Sequence, residues 1–204
     1  MEHDIKYGIM VAPGVMAPCH QHIFSLRIDP AIDAYDDSQI KYEDTVPMEY
    51  LPKSNPYGVA YEVHDSVVDT TGTLDLDVST NRAVKFVNRS KKNSVTGKPV
   101  GYKLHLPATQ LALAHATSMH GKRAEFADHH FYFTKYNERE MFPAGDYPWQ
   151  SSGGKGVKGW AARKEKLDGK PVVFANFGFT HNPRPEDWPV SLQCLSYMKL
   201  VITT

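Results

Sequence analysis

Apolar and polar side chains alternate, as they do in half-buried strands, along "HIFSLRID", "AYEVHDSVV", "AVKFVNR", "HHFYFTKY", "VVFANFGFTH" and "LSYMKLVIT". Turn-forming pieces such as "KSNPYG", "TGKPVG" and "PAGDYP" separate these runs. Helix formers concentrate in one region, "PATQLALAHATSMHGKRAEFADHH", where one or two short helices are expected. Together these patterns predict a mainly β chain, an antiparallel β-sandwich with one or two short helices. The stretch Ser151 to Gly159, "SSGGKGVKG", reads as an exposed loop inside the domain.

One strand carries more than packing. In "APCHQHIFSLRID" side chains two apart share a face, so His20 and His22 project with Phe24, Leu26 and Ile28, the apolar side. Two inward imidazoles need partners for their ring nitrogens. A metal ion shared by both, zinc or copper, would satisfy them, and so would backbone hydrogen bonds to two core histidines. The spacing is compatible with either.

The chain holds ten histidines, which leaves eight to weigh as a third ligand. His129 and His130 are adjacent, so at most one of them could join a shared site on a strand face. His115 and His120 fall in the helical region, where a surface position is the default. His181 differs: it ends the apolar run "VVFANFGFT" and opens "HNPRPEDWP", whose prolines stiffen the backbone. A cupin-type site would place a glutamate four or five residues after the second histidine, but Leu26 and Arg27 stand there.

Composition narrows the partners. With 23 basic and 23 acidic residues the formal net charge is zero, so nothing in the bulk charge favours nucleic acid or an acidic membrane. No apolar run approaches a membrane span, and no signal peptide is visible. Cys19 and Cys194 are too few for a disulfide framework and read as buried free thiols. The triplet Asn88 to Ser90 fits the glycosylation pattern, a signal that arises often by chance.

In order along the chain, "VAPGVMAPCHQHIFSLRIDPAID", "NPYGVAYEV", "TGKPVGYKLH", "KRAEFADHHFYFTKY", "AGDYPWQS" and "NFGFTHNPRPEDWPV" resemble the copper amine oxidases. The resemblance runs from Ile9 to Val190. It implies that residues 1–204 form a single domain, the C-terminal segment of the family's catalytic domain, an antiparallel β-sandwich that forms a homodimer. It implies copper held by His20, His22 and His181. It also implies oxidation of primary amines by dioxygen to aldehydes, with release of ammonia and hydrogen peroxide through a topaquinone made from a tyrosine.

The quinone-forming tyrosine lies in a Thr-x-x-Asn-Tyr-Asp/Glu motif, yet this sequence has no Asn-Tyr pair. In the family that tyrosine and the catalytic aspartate precede His-x-His, so no catalytic residue is assigned here. Asp29 stands where the family places one ligand of a peripheral cation, but Lys170 stands where a second acid is expected, with Asp168 nearby. Trp149 replaces an expected polar residue, Ser191 an expected methionine, and the tail after Val190 follows the family only loosely. The alternative is therefore a catalytically inactive copper- or zinc-binding β-sandwich fragment. Family members occur in peroxisomes and outside cells; this sequence shows neither a signal peptide nor a Ser-Lys-Leu ending, which leaves the location open with an intracellular setting slightly favoured.

A sandwich lacking upstream strands leaves sheet edges and apolar faces uncovered. Expressed alone, the chain is expected to be poorly soluble. Light scattering and thermal melts check this, and a monomer that melts cooperatively at high yield would contradict it.

Overall fold

The computed structural model describes residues 6–189 and 201–203. Strands β1 (Gly8–Ala12) and β2 (Val15–Pro18) form a hairpin of their own. The remaining strands are β3 (His20–Ile28), β4 (Ser38–Pro47), β5 (Tyr61–Val68), β6 (Gly72–Leu74), β7 (Ala83–Lys92), β8 (Pro99–His105), β9 (Phe131–Lys135), β10 (Pro171–His181) and β11 (Val201–Thr203). They build one sheet in the order β3-β10-β9-β6 and another in the order β11-β8-β7-β4-β5, with every pairing antiparallel. Helices α1 (Met119–Arg123) and α2 (Val157–Ala161) and two 3-10 turns, Glu125–Asp128 and Pro185–Asp187, complete the described elements. Among the described residues no helix is long and apolar enough to cross a membrane.

The two sheets pack face to face. Ile40, Val84, Phe86 and Leu104 of the five-stranded sheet meet Phe131, Phe133, Val173 and Ala175 of the other, all buried in one apolar cluster. The opposite face of β9 and β10 is covered as well: Tyr132, Val172 and Phe174 pack on Val157, Trp160 and Ala161 of α2. Burial on both faces explains why "FYF" and "VVFA" read as continuous apolar runs.

The antiparallel sandwich and its short helices agree with the sequence reading, and each of the first five predicted runs holds a strand. Of the sixth, residues 195–200 lie outside the described residues, while 201–203 pair with β8. Strands β1, β2, β4, β6 and β8 were not foreseen. In β4 the outer positions carry Lys41 and Glu43, and Glu43 is buried between Lys85 and Lys103 on the neighbouring strands. The alternation is present, but the buried acid disguises it.

Two expectations need correction, and one weak signal is set aside. The stretch Ser151 to Gly159 is not wholly an exposed loop, because Val157 starts α2 and is fully buried beneath β9 and β10. Cys19 is an exposed free thiol, in the one-residue link between β2 and β3; Cys194 lies outside the described residues. Asn88 is no glycosylation acceptor, because its buried amide donates to the Ile32 carbonyl at 2.6 Å and its Oδ1 accepts from the Ser90 backbone N–H at 2.9 Å.

Burial would raise the pKa of Glu43, but hydrogen bonds and charge from Lys103 and Lys85 overcome it and hold the carboxyl below its ordinary 4.5. A carboxyl with a lowered folded-state pKa contributes stability above its unfolded value and loses it as pH falls through the folded one. Wild type should therefore lose stability in acid below about pH 4.5 more steeply than a Glu43→Gln variant. Urea midpoints across that range measure the difference.

Candidate metal centre

The site is set by strand register. Antiparallel pairing of β3 with β10 puts His181 opposite His20 and Phe179 opposite His22, so three imidazoles share one sheet face. Gly178 makes that register possible: a Cβ there would lie 1.9 Å from the carbonyl oxygen of His22. Any larger residue would push the two strands apart beside the histidines.

The candidate ligand nitrogens of His20, His22 and His181 all lie within 4.8 Å of one another. Ring centroids are 4.7 Å apart for His20 and His22 and 4.8 Å for His20 and His181. His22 also stacks on Phe179 at 4.7 Å, which fixes its ring plane.

Hydrogen bonds decide which nitrogens are free. His20 Nδ1 lies 2.8 Å from the Pro18 carbonyl, an acceptor only, so Nδ1 carries the proton and Nε2 a lone pair. His181 Nε2 lies 3.4 Å from the carboxylate Oδ2 of Asp187, so by the same reasoning its Nδ1 bears the lone pair. These two lone-pair nitrogens face each other at 3.4 Å. A cation shared by the two, a metal ion or a proton, removes the repulsion between them. The third ring adds a buried Nε2 on His22 with no hydrogen-bond partner among the described residues. Three imidazole nitrogens, two facing and one orphaned, fit a borderline-soft divalent ion such as copper or zinc.

Electrostatics point the same way. Burial, then the neighbouring His20 and His181, lowers the pKa of His22 from 6.5, favouring the neutral ring that a metal requires. Burial would raise the pKa of Asp187, but the Arg184 backbone N–H and the side chains of His181 and Arg184 outweigh it, keeping the group a carboxylate. Asp187 thus orients His181 from behind, a role the sequence reading missed. The signal was present as an acid held six residues on by a proline-rich turn.

His20 and His22 do share a face with Phe24, Leu26 and Ile28, and Ile28 packs on the inter-sheet core. The predicted inward burial does not hold along the whole strand. His20 is exposed, and Phe24 and Leu26 remain 45% and 37% accessible, because β3 is the sheet's edge and the five-stranded sheet does not reach over it. His181, one strand in, is buried at 5%.

The remaining described histidines stay apart from this cluster. His129 and His130 both bind Asp75, His115 bonds Thr117 and His64 pairs with Glu62. His3 lies outside the described residues. The facing expected of an adjacent pair fails at His129 and His130, because they precede β9 and one carboxylate takes both rings. Asp29 sits near Arg27 at 3.9 Å, while Asp168 pairs with Lys135 and Lys170 with Asp36, so these groups converge on no cation.

The family profile of the copper amine oxidase enzyme domain matches residues 1–202. The chain belongs to the copper amine oxidase family. It is 43% identical over 187 residues to copper amine oxidase 1 of Aspergillus niger, covering 91% of this chain and 28% of that protein. It is 37% identical over 195 residues to histamine oxidase of Arthrobacter globiformis, covering 93% of this chain and 28% of that one. Among solved structures, a copper-containing benzylamine oxidase from Hansenula polymorpha superposes with a TM-score of 0.87 at 39% identity, over 98% of this chain and 31% of that one. The chain thus spans just over a quarter of the length of the curated copper amine oxidases it matches.

Removing a carboxylate that orients a metal-bound histidine weakens affinity about 10–100-fold. Asp187→Asn is expected to weaken Cu²⁺ binding within that range without shifting the metal-free melting temperature by more than a few degrees. Competition with a chromogenic chelator measures the affinity, and unchanged binding would remove Asp187 from the site.

Proposed function

We propose that this chain supplies the copper-holding part of a primary-amine oxidase, with His20, His22 and His181 as the ligands. The carrying observation is the facing pair His20 Nε2 and His181 Nδ1, completed by the orphaned His22 Nε2. In the family's chemistry, primary amines are deaminated by dioxygen to aldehydes, ammonia and hydrogen peroxide, and copper supports both formation of the quinone and its reoxidation. The ion would be held through neutral imidazoles with positions left open to water. This chain's own contributions are to hold those rings: Pro18 and Asp187 fix two of them, and Phe179 fixes the third.

Topaquinone does not fit the residues present. The sequence has no Asn-Tyr pair, and the aromatic partner of the histidine rings is Phe179, which has no hydroxyl. No step is assigned to a quinone on this chain. We infer that residues 1–204 are part of one catalytic domain, that a quinone and a base would have to come from polypeptide other than these residues, and that the intact assembly is a homodimer. The missing motif equally favours a second reading, a sandwich that binds copper or zinc without catalysis.

Copper titration tests the ligand set. Wild type should bind one Cu²⁺ per chain with a nitrogen-ligand electron paramagnetic resonance spectrum, and His181→Ala should lose that signature and most of the affinity. Equal binding by the two proteins would refute the assignment. To separate the two readings, the copper-loaded chain is exposed to air and reacted with phenylhydrazine. The absence of a coloured adduct is expected; an adduct would mean that a quinone forms on this chain.

A further inference from the structure

All three histidines of the cluster stand at one end of a two-stranded ribbon. Strand β9 pairs with β10 only from Pro171 to Ala175, and β3 is the outermost strand of its sheet. From Asn176 to His181, β10 therefore pairs as a strand with β3 alone among the described residues. A two-stranded pair is marginally stable at best in water. The register that gathers the imidazoles needs support from outside the ladder.

The back of the ribbon carries that support. Gln21 lies between His20 and His22, and strand alternation turns its side chain to the opposite face. There the irregular segment 109–113 crosses both strands. Thr109 Oγ1 accepts from the Gly178 backbone N–H at 3.1 Å, and Thr180 Oγ1 donates to Gln110 Oε1 at 2.8 Å, both on β10. On β3, Gln21 Nε2 donates to the Leu111 carbonyl at 3.1 Å, and its Oε1 accepts from the Leu113 backbone N–H at 2.8 Å. Gln21 and Thr180 are partners in the ladder, so the segment grips the two strands at the same level. The segment is itself anchored from its far side. Its Ala112 N–H donates to the Ala127 carbonyl at 3.1 Å, and the Thr109 carbonyl lies 2.8 Å from Nε2 of the buried His130.

We propose that Gln21 is a positioning residue of the metal centre: tied to the 109–113 segment, it holds the head of β3 so that His20 and His22 stay in register with His181. It touches no ion. Its amide bonds a carbonyl and an N–H two residues apart, so an irregular segment does for the ribbon what a third strand would do. Rings held in place before an ion arrives lose less freedom on binding it, and affinity rises accordingly. The proposal rests on the ligand set of His20, His22 and His181, while the tie it invokes exists in the metal-free chain.

Gln21→Met fills similar space with neither donor nor acceptor, and it separates positioning from general stability. In the metal-free protein, the most protected amide among residues 20–24 should exchange with solvent about tenfold faster in the variant, relative to the amides of residues 172–174, as expected when two hydrogen bonds are lost. General destabilisation would speed both groups alike and leave that ratio unchanged. Cu²⁺ affinity, read by chelator competition, should fall by about the same factor, and the copper hyperfine lines in the electron paramagnetic resonance spectrum should broaden as the ring geometry spreads. An unchanged exchange ratio would overturn this proposal and leave the ligand set standing, and so would copper affinity and line widths equal to those of wild type. A wild type that holds no copper through nitrogen would overturn the ligand set and this proposal together. Should Gln21→Met not fold, Gln21→Asn, one methylene too short to reach Leu111 and Leu113, carries the same expectations.

Discussion

The pairing of β3 with β10 governs the rest of the molecule. It aligns His20 with His181 and His22 with Phe179, and slipping it by one residue would turn one strand's side chains to the opposite face. Gly178 permits the close approach, and the inter-sheet core grips the far end of the same pair through Val173, Ala175 and Ile28. The histidine cluster is therefore the open end of a strand pair whose other end is buried. Packing energy at one end sets the spacing of the imidazoles at the other.

Strand β10 connects three environments. One face enters the sandwich core, the other meets α2, and its final residue reaches the histidine cluster. Asn176 adds a fourth link, because its side-chain amide donates to the carbonyls of Phe126 and His129 at 2.7 and 2.8 Å. That holds the loop ahead of β9 against the strand. Edge strand β3 is tied to the 111–113 segment by Gln21, whose amide donates to the Leu111 carbonyl and accepts from the Leu113 N–H, yet as the outermost strand of its sheet it leaves Phe24 and Leu26 accessible while Phe174 and Ala175 are fully buried.

Sequence patterns revealed those parts of the fold where one physical demand dominated. The i, i+2 phase of "HQHIFSLRI" placed both imidazoles on the face they occupy, and the stiff "HNPRPED" segment singled out His181. Elsewhere two demands competed. Glu43 interrupts the apolar rhythm of β4 because two lysines across the sheet neutralise it, a compensation invisible along one strand. The glycines of "SSGGKGVKG" suggested an exposed loop, yet Gly156 is needed for a tight crossing that then becomes α2. Asp187 was missed because its role depends on a turn bringing it back to His181.

Splitting the three imidazoles between an edge strand and its inner neighbour has a thermodynamic consequence. His20 and His181 are 161 positions apart in the chain, so gathering them in an unfolded chain means closing a very long loop against its entropy. An ion that needs both rings reads the folded register and ignores the unfolded ensemble. Occupancy then acts as a tether between distant segments, and its stabilisation grows with the logarithm of free metal. The edge strand, held least by packing, would gain most from an ion bound at these rings.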